Sequence, residues 1–182
     1  MISAQQFRSA KTPAMDNYSI HTTRKPRGFQ VLDPTGRVVA DMRQPKLFSQ
    51  DMQGTAEERV VRISSEGSLR MRYGVFVDDL KIGAIRTGGW GKLMLRLSLE
   101  NHAPVELEFV HVGNWRERYH LRITKDLPLM EVRSTSRWKW MADHTVHIVS
   151  PGIAAPQMPL MLAIVGFCAR LKRARAHAAA AT

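Results

Sequence analysis

Apolar and polar residues alternate through most of the chain, and the pattern changes only near its end. Over residues 68–86 the alternation is regular enough to assign faces. Leu69, Met71, Tyr73, Val75 and Val77 share one face. Across a two-residue turn at Asp78-Asp79, Leu80, Ile82 and Ala84 are expected opposite them. The outward face then carries Arg70, Arg72, Gly74, Phe76, Lys81, Gly83 and Ile85. After a Gly-rich loop, Thr87-Gly88-Gly89-Trp90-Gly91, Leu93, Leu95, Leu97 and Leu99 alternate with Met94, Arg96, Ser98 and Glu100. A turn at Asn101-His102-Ala103-Pro104 returns the chain with Val105, Leu107 and Phe109 inward. Pairing about His102 sets Leu97 opposite Leu107 and Arg96 opposite Glu108, so both faces match.

Shorter runs of the same kind cover 18–22, 29–32 and 38–42, the last two joined by Asp33-Pro34-Thr35-Gly36. In that turn Pro fixes φ and Gly permits a positive φ. Residues 43–58 hold Pro45, Gly54 and few apolar positions, and read as a loop with an extended stretch at 46–48. Further strands are expected at 119–123, 129–133, 137–141 and 144–149, with Arg118, His120 and Arg122 outward and Trp138 and Trp140 inward.

The run PLMLAIVGFCAR at 159–170 is different, because from 160 to 169 every position is apolar or small. A helix that is apolar all round has to be surrounded. Pro159 suits a first helical position, and Arg170, Lys172, Arg173 and Arg175 suit a C-terminal end that reaches water. Roughly a dozen short strands followed by one such helix predict a mainly β protein: a closed antiparallel barrel of about twelve strands around a buried C-terminal helix, about residues 158–175. The expected organisation is a disordered arm at 1–16, the barrel with its helix at 17–175, and a disordered tail at 176–182.

A membrane anchor is the competing reading of that run, since 148–169 contains no charge. Pro151, Gly152, Pro156 and Pro159 interrupt it, however, and the continuous helix left rises only about 15 Å against a hydrocarbon core of about 30 Å. The buried helix is the better account. The start, MISAQQFRSAKTPAMDN, has no apolar stretch of secretory type, so the expected location is cytoplasmic, or peripheral to a membrane.

With this organisation the chain resembles the tubby C-terminal-like superfamily, in particular its LURP-one-related and phospholipid scramblase-like branches. The matching pieces are FQVLDPTGRVVADMRQPKLFS (29–49), LKIGAIRTGGW (80–90), WKW (138–140) and LMLAIVGFCARL (160–171). The resemblance spans residues 17–175 and implies a twelve-stranded barrel threaded by its terminal helix. Tubby-like domains bind phosphoinositides through basic residues on the barrel wall, and scramblases are linked to calcium-dependent lipid movement. This chain has no D-x-D-x-D-G loop for calcium and no cysteine cluster before the barrel, so the resemblance favours a shared barrel over scrambling.

Charge narrows the partners. Lys and Arg total 27 against 16 Asp and Glu, a formal net charge of +11, which favours an anionic partner. No nucleophile elbow, zinc-protease helix or phosphate loop is present, and G-G-W-G-K-L lacks both the spacer and the hydroxyl of a phosphate loop. A non-enzymatic protein with no cofactor and no metal is expected. His144 and His147 fall on opposite faces of one strand, Asp143 beside them makes no case for a triad, and Cys168, the only cysteine, reads as an inert core residue. Arg96, Arg118 and Arg122 are balanced by Glu106 and Glu108. Arg70, Arg72 and Lys81 have no acidic neighbour on their own hairpin and share its face with Phe76 and Ile85. Trp90 stands in its loop between Arg86 and Lys92. Arg70, Arg72, Lys81, Arg86, Trp90 and Lys92 are therefore the candidate site, for an anionic lipid headgroup or phosphoinositide at a membrane surface. An interaction module for an acidic protein or a nucleic acid is the alternative. The oligomeric state is not encoded in the pattern.

Overall fold

The structure, a computed structural model, describes residues 17–47, 49–67, 71–99, 103–113, 117–123, 125, 127–135 and 143–180. Twelve antiparallel strands follow one another around a closed barrel: β1 (Asn17–Arg24), β2 (Arg27–Leu32), β3 (Val38–Arg43), β4 (Met52–Ala56), β5 (Arg59–Glu66), β6 (Arg72–Val77), β7 (Leu80–Thr87), β8 (Leu93–Leu97), β9 (Val105–His111), β10 (Arg118–Arg122), β11 (Pro128–Ser134) and β12 (His144–Ile148). Each strand pairs with its sequence neighbours, and β1 closes on β12 with Tyr18 opposite Val146 and Ile20 opposite His144. Closure removes the exposed edges that an open sheet would have to protect.

The inward residues of these strands leave room for one helix, α1 (Met158–Ala180), which a 3₁₀ segment (Gly152–Gln157) introduces. Every residue of α1 from 160 to 169 is buried, as are Leu171 and Arg173. No polar stripe was needed on this helix because barrel surrounds it, and it lies closest to β2, β3 and β4. Tyr73 meets Phe167 edge to face, with ring centroids 5.1 Å apart. The expected buried helix and closed barrel are both present. No helix among the described residues is long and apolar enough to cross a membrane.

Two turns form as the sequence predicts. Asp33 Oδ1 accepts hydrogen bonds from the Thr35 and Arg37 backbone N–H groups at 2.9 and 3.0 Å, and Gly36 takes a φ of 86°. Asp78 and Asp79 both take positive φ, 50° and 64°, as a two-residue hairpin with right-handed strand twist requires.

Other expectations need correcting. The expected loop at 43–58 contains β4. Gly54 replaces an apolar residue there because a Cβ would stand 1.8 Å from the Asp41 carbonyl oxygen, which hides the strand's alternation. A bulge between Val75 and Phe76 shifts the β6–β7 register, so Ile85, expected outside, is fully buried opposite Tyr73. Leu80, expected inside, keeps its place opposite Val77 but stands at the end of the hairpin and is exposed. Met71, also expected inside, precedes β6 and is exposed. In the β8–β9 pair Leu95 faces Leu107 and Arg96 faces Glu106. This is two residues from the expected register, and a shift of two leaves both faces unchanged. The tail expected to be disordered from 176 continues α1 through Ala180. The strand expected at 137–141, with Trp138 and Trp140, and the arm at 1–16 lie outside the described residues.

Candidate functional site

Strand direction sorts the connections into two groups. Those joining β1 to β2, β3 to β4, β5 to β6, β7 to β8, β9 to β10 and β11 to β12 lie at one end, and the remaining turns lie at the other. Since β12 leads into α1 at the second end, the helix enters there and leaves at the first. Its exit is tied by its four cations to three of the connections at that end. Arg170 donates to Gln44 Oε1 at 2.8 Å, Lys172 to the Gly91 carbonyl, Arg173 to Glu117 and Arg175 to Thr87 Oγ1 at 2.6 Å.

The two ends differ in charge. Around the exit stand Arg24, Lys25, Arg27, Arg43, Lys46, Arg72, Arg86 and Lys92 besides the four helix cations, against Asp51, Glu66, Glu117 and Asp143 among the described residues. At the entry end Asp33, Glu57, Glu58, Asp78 and Asp79 stand among Arg37, Arg59, Lys81 and Lys125, so the charges there nearly balance. The chain's positive excess is thus gathered at one end of the barrel.

A half-open cavity of about 470 Å³ sinks into the exit end between α1, β1, β2 and the β3–β4 loop. Its volume falls in the range of roughly 300–1,000 Å³ typical of small-molecule sites. Ile20, Phe29, Phe167 and Leu171 make an apolar lining, and Arg27, Gln44, Arg170, Arg173, His144 and His177 supply the polar part. Among the described residues no carboxylate lines it. Burial, with Arg27 close by, lowers the Arg170 pKa below its usual value. Among the described residues neither Arg27 nor Arg170 has a carboxylate partner, so two like charges face one cavity unneutralised. His144 is 4% exposed, and its Nε2 has no hydrogen-bond partner among the described residues. Burial, and then the Arg173 charge, push its pKa down to about 4, so the ring is neutral at pH 7.

The candidate residues on the wall are placed differently from one another. Glu66, on the neighbouring strand β5, binds both Arg72 (3.0 Å) and Lys81. It reaches Lys81 by lying over Gly74, where a Cβ would meet its Oε1 at 2.5 Å. The face judged free of carboxylates on its own hairpin therefore receives one from the next strand. Lys92 stands 3.6 Å from Glu108, which also binds Arg122 at 2.9 Å. Arg72 pairs in register with Arg86, and both lie toward the exit end, whereas Lys81 lies toward the entry. Arg70 and the Trp90 side chain lie outside the described residues. Arg118, expected to pair with Glu106 or Glu108, instead joins Arg133 on Glu131, whose pKa falls to about 2, chiefly through the Arg133 hydrogen bond.

The histidines separate as expected, His144 inside and His147 half-buried. Asp143 turns away from His144 to hold β1, accepting from the Thr22 N–H at 2.8 Å and standing 3.2 Å from His21 Nδ1. Burial pushes the Cys168 thiol well above its usual pKa, which suits an inert core residue. Among the described residues no group of three or more His, Cys, Asp or Glu could hold a metal ion.

Sequence reasoning did not single out Arg27, Gln44 or Arg170 as a site, and it took His144 for an ordinary histidine. Their association depends on the helix returning through the barrel, so no local spacing marks it. No family model, curated protein or solved structure matches the chain.

Proposed function

We propose that this is a non-enzymatic barrel of the tubby-like kind that binds an anionic membrane surface peripherally, through the end where α1 leaves the barrel. The gathering of cations at that end carries the reading. Leu47 (60% exposed) and Met71 (52%) stand beside them at the same end. Basic residues contribute about 1 kcal/mol each near an anionic bilayer, and exposed apolar side chains among them add partition into the interface. The wall residues Arg72, Arg86 and Lys92 contribute from the rim, with Arg72 and Lys92 partly offset by Glu66 and Glu108.

The same gathering of cations favours the second reading, a module for an acidic protein or a nucleic acid. Co-sedimentation with vesicles separates the two. Binding to vesicles containing anionic lipid, weakened by salt and absent with zwitterionic lipid, is the expected result. A protein that ignores both vesicle types but retains a polyanion in a gel-shift assay would replace the membrane by the second class of partner.

A further inference from the structure

The cavity differs from a flat basic surface, because cations line a hollow whose other side is apolar. We propose that it is a discrete site for one anionic amphiphile, with a single carboxylate or phosphate head on Arg27 and Arg170 and an apolar tail over Phe29, Phe167 and Leu171. This deepens the membrane reading by naming a single-molecule ligand for the same end of the barrel.

Three observations meet there. First, Arg170 is half-buried and, among the described residues, has only the neutral Gln44 oxygen as its hydrogen-bond acceptor, while Arg27 raises the local positive potential. A guanidinium pair of this kind accepts an oxyanion through charge-assisted, planar hydrogen bonds, and the anion relieves the repulsion between them. Second, the lining opposite is aromatic and aliphatic, with the Phe29 ring packed directly on Gly166. A bare anion leaves that surface wet, whereas an amphiphile covers it. Third, His144 keeps an unpartnered, buried Nε2 in the same lining. An unmet buried polar atom costs about 1–3 kcal/mol, and such atoms in native proteins call for an explanation that a ligand oxygen supplies.

Monomeric decanoate, decanol, inorganic phosphate and anionic vesicles, each titrated against the full chain, make the test. Decanoate is expected to bind at least tenfold more tightly than decanol or phosphate. Two variants at the mouth leave the cations in place: Ala174→Trp at an exposed helix position blocks the opening, and Leu47→Asp in the exposed loop repels the head. Each should weaken decanoate at least tenfold, and Ala174→Trp should leave vesicle binding within about twofold. Arg27→Gln with Arg170→Gln should weaken both ligands. Equal binding of decanoate and decanol, or of decanoate and phosphate, overturns the amphiphile site, as does decanoate binding unaffected by both mouth variants. Vesicle binding without decanoate binding overturns this site and leaves the membrane reading standing. Decanoate binding without vesicle binding supports the site and removes the membrane.

Discussion

The ring of Phe29 occupies the space in which a side chain on Gly166 would stand: a Cβ added there would come 2.5 Å from Phe29 Cε2 and 2.8 Å from Cζ. Phe29 is 2% exposed and projects from β2, so α1 approaches the barrel wall at this level only because residue 166 is glycine. Gly166→Val is therefore expected to lower stability by about 1–3 kcal/mol, the usual cost of overpacking a filled core. Urea unfolding monitored by circular dichroism reads it, and an unchanged midpoint would place the helix farther from β2.

A charge on the middle of α1 should be far more damaging. Ile164 is fully buried, and an unpaired charge in its place costs several kcal/mol, comparable with the total stability of a domain. Ile164→Arg is expected to yield no cooperatively melting protein. Its recovery with a sharp thermal transition would show that α1 does not fill the barrel.

Acid should weaken the fold through His144. Its folded pKa, about 4, lies below the ordinary histidine value of 6.5, so protonation favours the unfolded chain. The associated stability is complete above pH 6.5 and is lost as the pH falls toward 4, by an amount on the order of 3 kcal/mol. Glu131 acts lower down: its folded pKa is depressed from 4.5 to about 2, so its contribution is complete above 4.5 and fades toward 2. Thermal melting of wild type and His144→Gln across pH 4–7 checks the assignment. The variant should show a flatter dependence between 6.5 and 4, and parallel curves would assign the acid sensitivity to other groups.

The two groups of cations should contribute unequally to vesicle binding. Arg72 and Lys81 share Glu66, whereas Arg27 and Arg170 have no carboxylate partner among the described residues. Arg27→Gln with Arg170→Gln is expected to weaken binding to anionic vesicles by roughly thirtyfold, from about 1 kcal/mol per cation. Arg72→Gln with Lys81→Gln should cost only about fivefold, because Arg72 alone of the two lies toward the exit end, Lys81 standing toward the entry. Equal losses would mean that net charge alone matters and that the exit end is not a site.

The pattern along the chain determined the class of fold, because period-two alternation and an all-round apolar run are local properties. Leu93, Leu95 and Leu97 can only be one face of a strand, and residues 160–169 can only be surrounded. The Asp78-Asp79 turn was equally legible, since its residue types tolerate the backbone it needs. Tertiary structure decided the rest. The bulge beside Phe76 reversed the face of β7, and Gly54 disguised β4 because the Asp41 carbonyl leaves no room for a side chain. Glu66 neutralised a face that looked free because the carboxylate comes from the adjoining strand. The cavity was the least legible of all. Arg170 reaches Gln44 across 126 residues of sequence only because α1 threads back through the closed barrel, and charges that converge in that way leave no spacing to read.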